Sequence, residues 1–184
     1  MTTKKTKRPG PRIEVRRSGI HGRGVYARRA IRAKTTVCEY KGEIIDETEA
    51  DRRYPENLDG LNHTFLFGVA HDHNIDGGSQ GNIACWINHS CAPNCEAYEK
   101  NKRMFVRAMR DIRRGEELSY DYGIEAGEPL TKALKARWPC WCGAKNCRGT
   151  VLVPTPKKKP KRKAKPKAKA KPRAKTRPKR KPAR

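Results

Sequence analysis

Long apolar runs are missing from this sequence. No stretch of about 18 apolar residues occurs in it, so no segment predicts a membrane-spanning helix. The N-terminal residues are basic and lack the apolar run of a secretory signal peptide. We therefore expect an intracellular protein without a membrane partner. In that setting the seven cysteines indicate metal ligands or buried thiols rather than disulfide bonds.

Acidic residues are scarce and unevenly placed. The chain has 44 Lys and Arg against 19 Asp and Glu, which gives a net charge of +25. Residues 154–184 contain 12 Lys and 5 Arg, residues 1–12 contain five more basic residues, and neither segment has an acidic residue. The remaining residues, 13–153, therefore carry a net charge of only +3. This distribution predicts one folded domain between two cationic arms that attract polyanions.

Large apolar residues are also absent from residues 154–184, which consist only of Pro, Thr, Lys, Arg and Ala. Such a composition cannot offset the entropy of ordering. We predict a disordered Lys/Pro/Ala-rich tail there and a disordered basic arm over residues 1–12. The tail resembles the tails of linker histones, which implies non-specific DNA binding through phosphate neutralisation. A localisation signal or a solubilising appendage are the alternatives.

The residues between the arms predict a mostly β domain. Short apolar runs alternate with glycine-containing turns, and helical stretches are few. Asp46 is a suitable N-cap for a short helix that ends at Arg53. A second helix is expected over residues 130–138, and a helical turn within residues 82–88. Strands are expected at residues 13–15, 25–27, 36–40, 65–69, 74–76, 104–108 and 117–120.

Three cysteines near residue 140 have the spacing of a metal site. Cys140, Cys142 and Cys147 follow the pattern C-x-C-x4-C, and Gly143 relieves the tight turn between them. Thiolates this close together can bind one tetrahedral zinc ion. Zinc requires a fourth ligand, and binding it would be part of folding. Three incidental buried thiols are the alternative.

Three further motifs occur in a fixed order. Gly22-Arg23-Gly24 allows the backbone to approach a ligand closely, although by itself it is typical of a plain turn. Asn88 to Asn94 reads Asn-His-Ser-Cys-Ala-Pro-Asn, and Glu117 to Gly123 contains Tyr-Asp-Tyr. Together with the cysteine motif, this order resembles the SET-domain protein lysine methyltransferases that carry a trithorax-like, zinc-binding post-SET segment. The resemblance covers about residues 13–153.

The resemblance implies a fold and a complete set of zinc ligands. Small curved sheets would surround a knot-like crossing, in which the segment around Asn88 passes beneath the strand near Tyr122. Residues 13–125 would form the SET domain and residues 126–153 the post-SET segment. The fourth zinc ligand would be Cys91, with Cys95 as a rival. Cys38 and Cys85 lie in apolar runs and are expected to be core thiols.

S-adenosylmethionine is the methyl donor that the resemblance implies. Its amino-acid end would lie against the backbone of His21, Gly22, Arg23 and Gly24. Asn88 and His89 would hold it through side-chain and main-chain hydrogen bonds. Trp141 would cover the adenine, with simple packing as the alternative. Family members often have Arg-Phe where this chain has Cys85-Trp86, so packing near that point is expected to differ.

Three tyrosines match the family's lysine channel. Tyr122 falls at the position of the principal catalytic tyrosine, and Tyr40 at that of a tyrosine lining the site. Tyr120 falls at a Phe/Tyr position where a hydroxyl implies mono- or dimethylation before trimethylation. For each, a half-buried strand residue is the alternative. No Ser-His-Asp set is evident, so no covalent enzyme intermediate is expected.

The expected activity is methyl transfer to the lysine of a basic protein, such as a histone or a histone-like tail, near DNA. A non-histone substrate, or a DNA-condensing protein with an inactive SET domain, are the alternatives. The site of action would be nuclear chromatin, a bacterial nucleoid or a host nucleus. Methylation of the chain's own tail is a further hypothesis. His71 and His73 are expected to be solvated turn residues, Asp76 to be structural, and Glu116-Glu117 either to attract a cationic substrate or to be solvated.

Overall fold

A computed structural model describes residues 10–57, 60–69 and 73–154. The arm predicted for residues 1–12 and the tail predicted for residues 154–184 therefore lie almost entirely outside the described residues. No helix in the described ranges is long and apolar enough to cross a membrane. The described residues form two α-helices, α1 (Glu47–Arg53) and α2 (Lys132–Arg137), a 3₁₀ turn (Ile83–Trp86), and the strands β1 (Ile13–Arg17), β2 (Arg23–Ala27), β3 (Thr36–Tyr40), β4 (Glu43–Asp46), β5 (Leu66–Val69), β6 (His73–Asp76), β7 (Asn88–His89), β8 (Cys95–Lys100), β9 (Arg103–Ala108), β10 (Glu117–Tyr120), β11 (Ile124–Glu125) and β12 (Leu152–Val153).

The strands form small sheets rather than one large sheet. One sheet has the order β1-β2-β10-β7, a second β3-β9-β8 and a third β4-β6-β5, and β11 pairs with β12. Most neighbours are antiparallel, but β7 pairs in parallel with β10, and β11 in parallel with β12. The predicted mostly β fold class is confirmed. This arrangement of short strands leaves many loop segments free to converge on one site.

The two helices match their predictions in kind, and both are short. Asp46 caps α1 as expected, because its carboxylate accepts a hydrogen bond from the backbone N–H of Glu49 at 2.9 Å. The second helix begins later than predicted, since Thr131 caps it by accepting from the N–H of Leu134 at 3.1 Å. Strand β8 was not predicted. It pairs along its whole length with β9 in a hairpin whose two turn residues, Asn101 and Lys102, both have positive φ. This pairing outweighs the weak local pattern of Cys95–Lys100.

The hydrophobic core lies beneath β2, β9 and β10. Val25, Val106 and Leu118, one from each of these strands, have no exposed surface. Ile87, which follows the 3₁₀ turn, is also buried and belongs to the same cluster. Because the residues after Ile87 continue directly into β7, the core fixes the position of the Asn88 segment.

Strand β7 brings the Asn88 segment beside β10. Asn88 is paired with Ser119 and His89 with Tyr120. Tyr122 follows β10, and its phenol hydroxyl donates to the carbonyl of Ile87 at 3.0 Å. The crossing that the resemblance implied would lie at this point, where two segments about 30 residues apart in sequence are joined by main-chain and side-chain hydrogen bonds.

Candidate active site and metal centre

A cavity of about 470 Å³ lies where these segments meet. Its walls include four of the residues predicted to hold the methyl donor and all three predicted channel tyrosines. Gly22, Arg23 and Gly24 are not among its lining residues. The predicted site residues that do line the cavity are His21, Asn88, His89, Trp141, Tyr40, Tyr120 and Tyr122.

The buried side chain of Asn88 holds the loop that precedes β2. Its amide Nδ2 lies 3.2 Å from the carbonyl oxygen of His21 and 2.9 Å from that of Arg23. It also lies 3.0 Å from Ser18 Oγ and 2.9 Å from Glu117 Oε1. An amide can share two N–H donors among such acceptors. Asn88 therefore orders the backbone of the glycine loop from within the protein.

Glu117 is a site residue that the sequence reasoning did not assign to this loop. Its carboxylate accepts from the hydroxyl of Ser18 at 2.7 Å and from that of Tyr26 at 2.7 Å. A Cβ at Gly24 would collide with this carboxylate. Gly24 therefore makes room for Glu117 rather than for a ligand. Glu117 was expected either to attract a cationic substrate or to be solvated; its oxygens instead accept hydrogen bonds from Ser18, Tyr26 and Asn88.

The three tyrosines and Phe67 form a connected aromatic wall. The ring centroids of Tyr120 and Tyr122 are 5.2 Å apart, those of Tyr120 and Phe67 are 5.8 Å apart, and those of Phe67 and Tyr40 are 5.2 Å apart. Tyr40 donates its hydroxyl to the carbonyl of Phe65 at 2.5 Å. Contacts of this kind fix ring positions, because each ring is held by its neighbours and two of the hydroxyls by a main-chain acceptor.

All three phenols stay neutral near physiological pH. Burial raises the pKa of Tyr40, Tyr120 and Tyr122 above the ordinary value for tyrosine, and nearby ionisable groups raise that of Tyr40 and Tyr120 further. The phenolate form is therefore unavailable. Since the O–H of Tyr122 donates its hydrogen bond to Ile87 O, its oxygen can only accept a hydrogen bond from another group. The wall orients and accepts hydrogen bonds rather than acting as a strong base.

His89 connects the tyrosine wall to the cysteines. Its Nδ1 accepts from the backbone N–H of Tyr122 at 3.1 Å, and its Nε2 lies 3.4 Å from Cys91 Sγ. Burial, with a further contribution from Arg148, lowers the pKa of His89 to about 4 although Asp121 opposes the shift. The ring is therefore neutral, and the acceptor role of Nδ1 places its proton on Nε2, directed at the Cys91 sulfur.

Four thiols form one cluster. Cys91, Cys140, Cys142 and Cys147 place their sulfur atoms within 4.8 Å of one another, and this is the one such group of metal-binding side chains among the described residues. Gly143 has φ of +67° in the turn between them, a conformation that favours glycine. Four sulfur donors in a compact group suit tetrahedral zinc.

The surroundings of Cys142 favour its thiolate form, whereas burial raises the pKa of Cys91 and of Cys140. Backbone N–H groups approach three sulfurs: Arg148 N lies 3.3 Å from Cys91 Sγ, Gly149 N lies 3.4 Å from Cys147 Sγ, and Cys91 N lies 3.4 Å from Cys142 Sγ. Burial raises the pKa of Cys142, but hydrogen bonds from the N–H groups of Cys91 and Ala144 and from the neighbouring thiols outweigh it and lower this pKa to about 6. Thiolate is the form that ligates metal, so the donor set fits zinc.

The other cysteines lie apart from the cluster. Cys95, the rival fourth ligand, is fully buried at the start of β8, and burial raises its pKa to about 12. Cys38 packs against the core, and burial likewise raises its pKa to about 12. Cys85 also packs against the core but in addition lines the cavity. Cys85 is therefore a core thiol as expected, and it also faces the cavity.

An ion pair joins the cysteine segment to the Tyr-Asp-Tyr motif. The guanidinium of Arg148 binds both carboxylate oxygens of Asp121, at 2.6 and 2.9 Å. Bidentate pairs of this type fix geometry as well as adding energy. Through this pair and through His89, Asp121 and the backbone N–H of Tyr122 are tied to the cysteine cluster.

A row of stacked rings forms the outer wall of the cavity. The rings of His21 and Trp141 are stacked 5.8 Å apart, and those of His21 and His63 are stacked 5.3 Å apart. Trp141 is 51% exposed, so one face is open to a ligand. Sequence reasoning missed His63, because no motif marks it; only the fold places it beside His21. Burial, with a contribution from His21, lowers the pKa of His63.

The remaining expectations have clear outcomes. Trp86, the departure from the family pattern, packs edge-on against Phe65 at 5.1 Å and lies under the Arg23 guanidinium at 4.9 Å. Asp76 is structural as expected, being buried and bound by Arg53 at 2.8 Å and Tyr54 at 2.7 Å. His71 lies outside the described residues, and His73 begins β6 rather than lying in a turn.

Glu116 is partly buried rather than solvated. Its carboxylate binds Arg110 at 2.6 Å and accepts from Asn94 Nδ2 at 3.0 Å. Because these partners occupy its oxygens, Glu116 holds the turn before β10 against the end of the Asn-His-Ser-Cys segment. The pair Glu116-Glu117 is therefore part of the framework of the site.

Comparison with known proteins identifies the class to which this fold and site belong. The SET domain matches residues 22–123, more than half of the chain, and the chain therefore belongs to the SET-domain family. The matched range runs from the glycine loop to the residue after Tyr122, so it contains the tyrosine wall and the Asn-His-Ser-Cys segment but not the last three cysteines.

Particular relatives are histone methyltransferases of fungi. The chain is 39% identical over 151 residues to the H3 lysine-4 specific histone-lysine N-methyltransferase of Aspergillus oryzae, 41% identical over 138 residues to that of Saccharomyces cerevisiae, and 42% identical over 137 residues to that of Schizosaccharomyces pombe. These matches cover 79%, 72% and 72% of this chain. The chain spans only 12% to 14% of the length of these relatives.

Proposed function

We propose that this chain is a protein lysine N-methyltransferase that transfers a methyl group from S-adenosylmethionine to the ε-amine of a lysine in a histone tail. The observation that carries the proposal is the shared cavity, in which the neutral tyrosine wall and the loop held by Asn88 face the same space of about 470 Å³. Residues 13–125 would be the catalytic domain and residues 126–153 its zinc-binding extension.

The donor is assigned to the end of the cavity that is lined by His21 and Trp141. The backbone at His21, where the glycine loop meets the cavity, is the proposed contact for its amino-acid end, and Asn88 Nδ2 keeps that backbone in place through the carbonyls of His21 and Arg23. Main-chain groups of Asn88 and His89 are the proposed further contacts. The open face of Trp141 offers a stacking surface for the adenine. When bound, S-adenosylmethionine supplies an electrophilic methyl group on a sulfonium.

The lysine is assigned to the end lined by Tyr40, Tyr120 and Tyr122. A free lysine has a pKa near 10.4, so forming the neutral amine at pH ~8 costs about 3 kcal/mol. A buried aromatic wall disfavours the charged form and lowers that cost. The hydroxyl of Tyr122 donates its own hydrogen bond to Ile87 O. Its oxygen can therefore accept a hydrogen bond from the amine. That contact would direct the nitrogen lone pair away from Tyr122 and towards the methyl carbon.

The reaction needs one displacement step. With donor and lysine bound, the amine lone pair would attack the methyl carbon, and the C–N bond would form as the C–S bond breaks to leave a neutral thioether. The methylated amine then releases its proton to solvent. No tyrosine has to ionise, which agrees with the raised pKa of all three phenols.

Zinc is assigned to Cys91, Cys140, Cys142 and Cys147. Its proposed role is structural, because four thiolates fill a tetrahedral shell and leave no open position. The metal would hold Trp141 and Arg148 against the catalytic domain. The His89 contact with Cys91 Sγ at 3.4 Å orients one ligand in the way that outer hydrogen bonds commonly do.

The fungal relatives are named for methylation of histone H3, and this supports a basic histone tail as the substrate and chromatin in a nucleus as the place of action. Residues 154–184, with 12 Lys and 5 Arg, are the proposed contact to DNA. Phosphate neutralisation by such a segment gives affinity that falls steeply with salt.

The full chain, incubated with methyl-labelled donor and a panel of basic proteins that includes histone H3, tests the proposal. Label on lysine, mapped by mass spectrometry and lost when Tyr122 is changed to Phe, is the expected result. Donor binding is measured by calorimetry. A chain that binds the donor but methylates none of the proteins is an enzyme tested without its substrate, whereas an inactive module does not bind the donor. Absence of both donor binding and methyl transfer would refute the proposed function.

A further inference from the structure

The chain leaves the described domain beside the mouth of the cavity. Strand β12, Leu152–Val153, pairs in parallel with β11, Ile124–Glu125, and β11 begins two residues after Tyr122. Val151, Ile124 and Glu125 all line the cavity that contains the three tyrosines. Neighbouring strands lie ~5 Å apart and two residues span at most ~7 Å, so Leu152 Cα lies within about 12 Å of Tyr122 Cα.

A second cavity adjoins the first at this point. It has a volume of about 370 Å³ and shares a wall with the first cavity, formed by residues that include His63, Leu66 and Ile124. Leu152 lines it, so the last described strand forms part of this groove. Any segment that follows Val153 therefore begins next to a groove that adjoins the cavity of the tyrosine wall.

The groove is acidic. Glu56, Glu125 and Glu128 line it, and among its described lining residues none is Lys or Arg. The side chains of Glu56 and Glu128 are 49% and 59% exposed, and Arg137 beneath them pairs with Glu56 at 2.8 Å and with Glu128 at 4.0 Å. Three carboxylates line the groove and the partly buried Arg137 pairs with two of them, so the groove keeps an excess of negative charge, which attracts a cationic chain.

We propose that the lysine-rich residues 155–184 of this chain enter this groove and are methylated in cis by the adjoining site. The proposal rests on the proposed function. Twelve lysines follow Val153, the first of them Lys157. The four residues from Val153 to Lys157 span at most ~14 Å, so the connection to the nearest lysines is too short for them to turn back easily to the cavity. The connection to the lysines from Lys161 to Lys169 is long enough. Effective concentration falls with longer connections, so these lysines are methylated before Lys175, Lys179 and Lys181.

The step is the same displacement as for an external lysine. A tail ε-amine forms the C–N bond while the C–S bond of the donor breaks, and the proton of the new methylammonium goes to solvent. The tail keeps its charge after methylation, because a methylated lysine remains cationic. The modification therefore marks the tail without removing its electrostatic attraction for polyanions.

The full chain with methyl-labelled donor and no added protein tests the proposal. We expect label in residues 155–184, mapped by mass spectrometry, with the highest occupancy at Lys161 to Lys169. An intramolecular site provides an effective concentration in the millimolar range, so at ~1 µM protein the cis reaction exceeds the trans reaction by about 10³-fold. The rate per chain is therefore expected to stay constant over a 50-fold dilution, to about 20 nM.

A mixing experiment separates cis from trans. The active partner is the full chain with all twelve tail lysines replaced by arginine, and methylation of added histone H3 shows that it is active. The passive partner is the isotopically heavy Tyr122→Phe chain with its natural tail. We expect almost no label on the passive tail, and equal labelling of passive and cis tails would overturn the proposal. Label on histone H3 with none on the natural tail would overturn it while leaving the proposed function intact.

The groove itself is tested by Glu128→Gln, with Glu99→Gln on the exposed end of β8 as the matched control. Loss of one charge about 7 Å from a lysine in water corresponds to about a threefold change in rate. We expect tail methylation to slow about threefold at low salt for Glu128→Gln and to be unchanged for Glu99→Gln. Equal rates for the two variants would overturn the groove as the route of the tail.

Discussion

Replacing Tyr122 with Phe removes one oxygen from the candidate active site and leaves the ring in place. The ring contacts with Tyr120 at 5.2 Å and with His89 at 5.3 Å involve no hydroxyl and should persist. The hydroxyl itself donates to Ile87 O at 3.0 Å, and Ile87 is almost fully buried. The variant therefore loses a positioned acceptor in the cavity and leaves a buried carbonyl with one partner fewer.

The unpaired carbonyl should lower the folding stability, and the missing acceptor should slow turnover. A buried polar group that loses its partner costs about 1–3 kcal/mol of folding free energy. Removing one positioned hydrogen-bonding group from an active site typically slows turnover by about 10²–10³-fold, or about 3–4 kcal/mol of barrier. We therefore expect a folded Tyr122→Phe chain whose methyl transfer is at least about 100-fold slower and whose donor affinity changes little, since the proposed donor contacts lie on other residues.

The assay compares Tyr122→Phe with Tyr98→Phe. Tyr98 also exchanges one hydroxyl hydrogen bond, with Thr36 at 2.8 Å, but it lies on β8 away from the cavity. Initial rates of label transfer to histone H3, calorimetric donor binding and denaturant unfolding are measured on both. Tyr98→Phe should keep its activity. Undiminished methyl transfer by Tyr122→Phe would refute the role of Tyr122, whatever its effect on stability.

Three further predictions concern the channel, the metal and a buried carboxylate. Tyr120→Phe should shift the products towards higher methylation, because loss of the hydroxyl leaves room for a methyl group; an unchanged product distribution by mass spectrometry contradicts this. The purified chain should contain one zinc ion per molecule, which atomic absorption measures. A strong chelator should lower its melting temperature and weaken donor binding, because Trp141 and Arg148 are no longer held in place. A chain that contains no zinc and whose thermal unfolding is unaffected by the chelator contradicts this prediction. Burial raises the pKa of Asp76, but hydrogen bonds from Tyr54, Arg53 and Gly78 N outweigh burial and lower this pKa overall. The unfolded chain therefore binds the proton more readily than the folded chain. The free energy of unfolding should fall as the pH drops below about 4. Carbon NMR of the Asp76 carboxyl should show a pKa below the ordinary value, and a higher one contradicts the assignment.

The sequence predicts the class of this protein better than its internal connections. The order of the glycine loop, the Asn-His-Ser-Cys segment and the Tyr-Asp-Tyr motif is sufficient to indicate the family, and the family match over residues 22–123 confirms it. The short helix after Asp46 was predictable because its capping signal is local. The pairing of β8 with β9 was not, because the alternation in Cys95–Lys100 is weak and the strand depends on its partner.

The roles of Glu117 and His63 show why part of the site was missed. The sequence around Glu117 indicates only a charged residue on a hairpin. Nothing near it in sequence indicates its hydrogen bonds with Ser18, Tyr26 and Asn88. His63 lies 42 residues from His21 in sequence, and their rings are stacked 5.3 Å apart. Contacts of this kind are set by how loops converge on the core, so a single sequence carries no periodic signal for them.

The cysteine segment supplies Cys140, Trp141 and Val151 to a cavity whose other walls come from earlier in the chain. A ribosome makes these residues last among the lining set. A nascent polypeptide that has already folded its first sheets would still have one side of the cavity open to water. Under the proposed assignments of the active site and of zinc, methyl transfer would begin only after synthesis has passed residue 151 and the four cysteines have bound their metal. Zinc supply during translation would then control when a newly made chain becomes active.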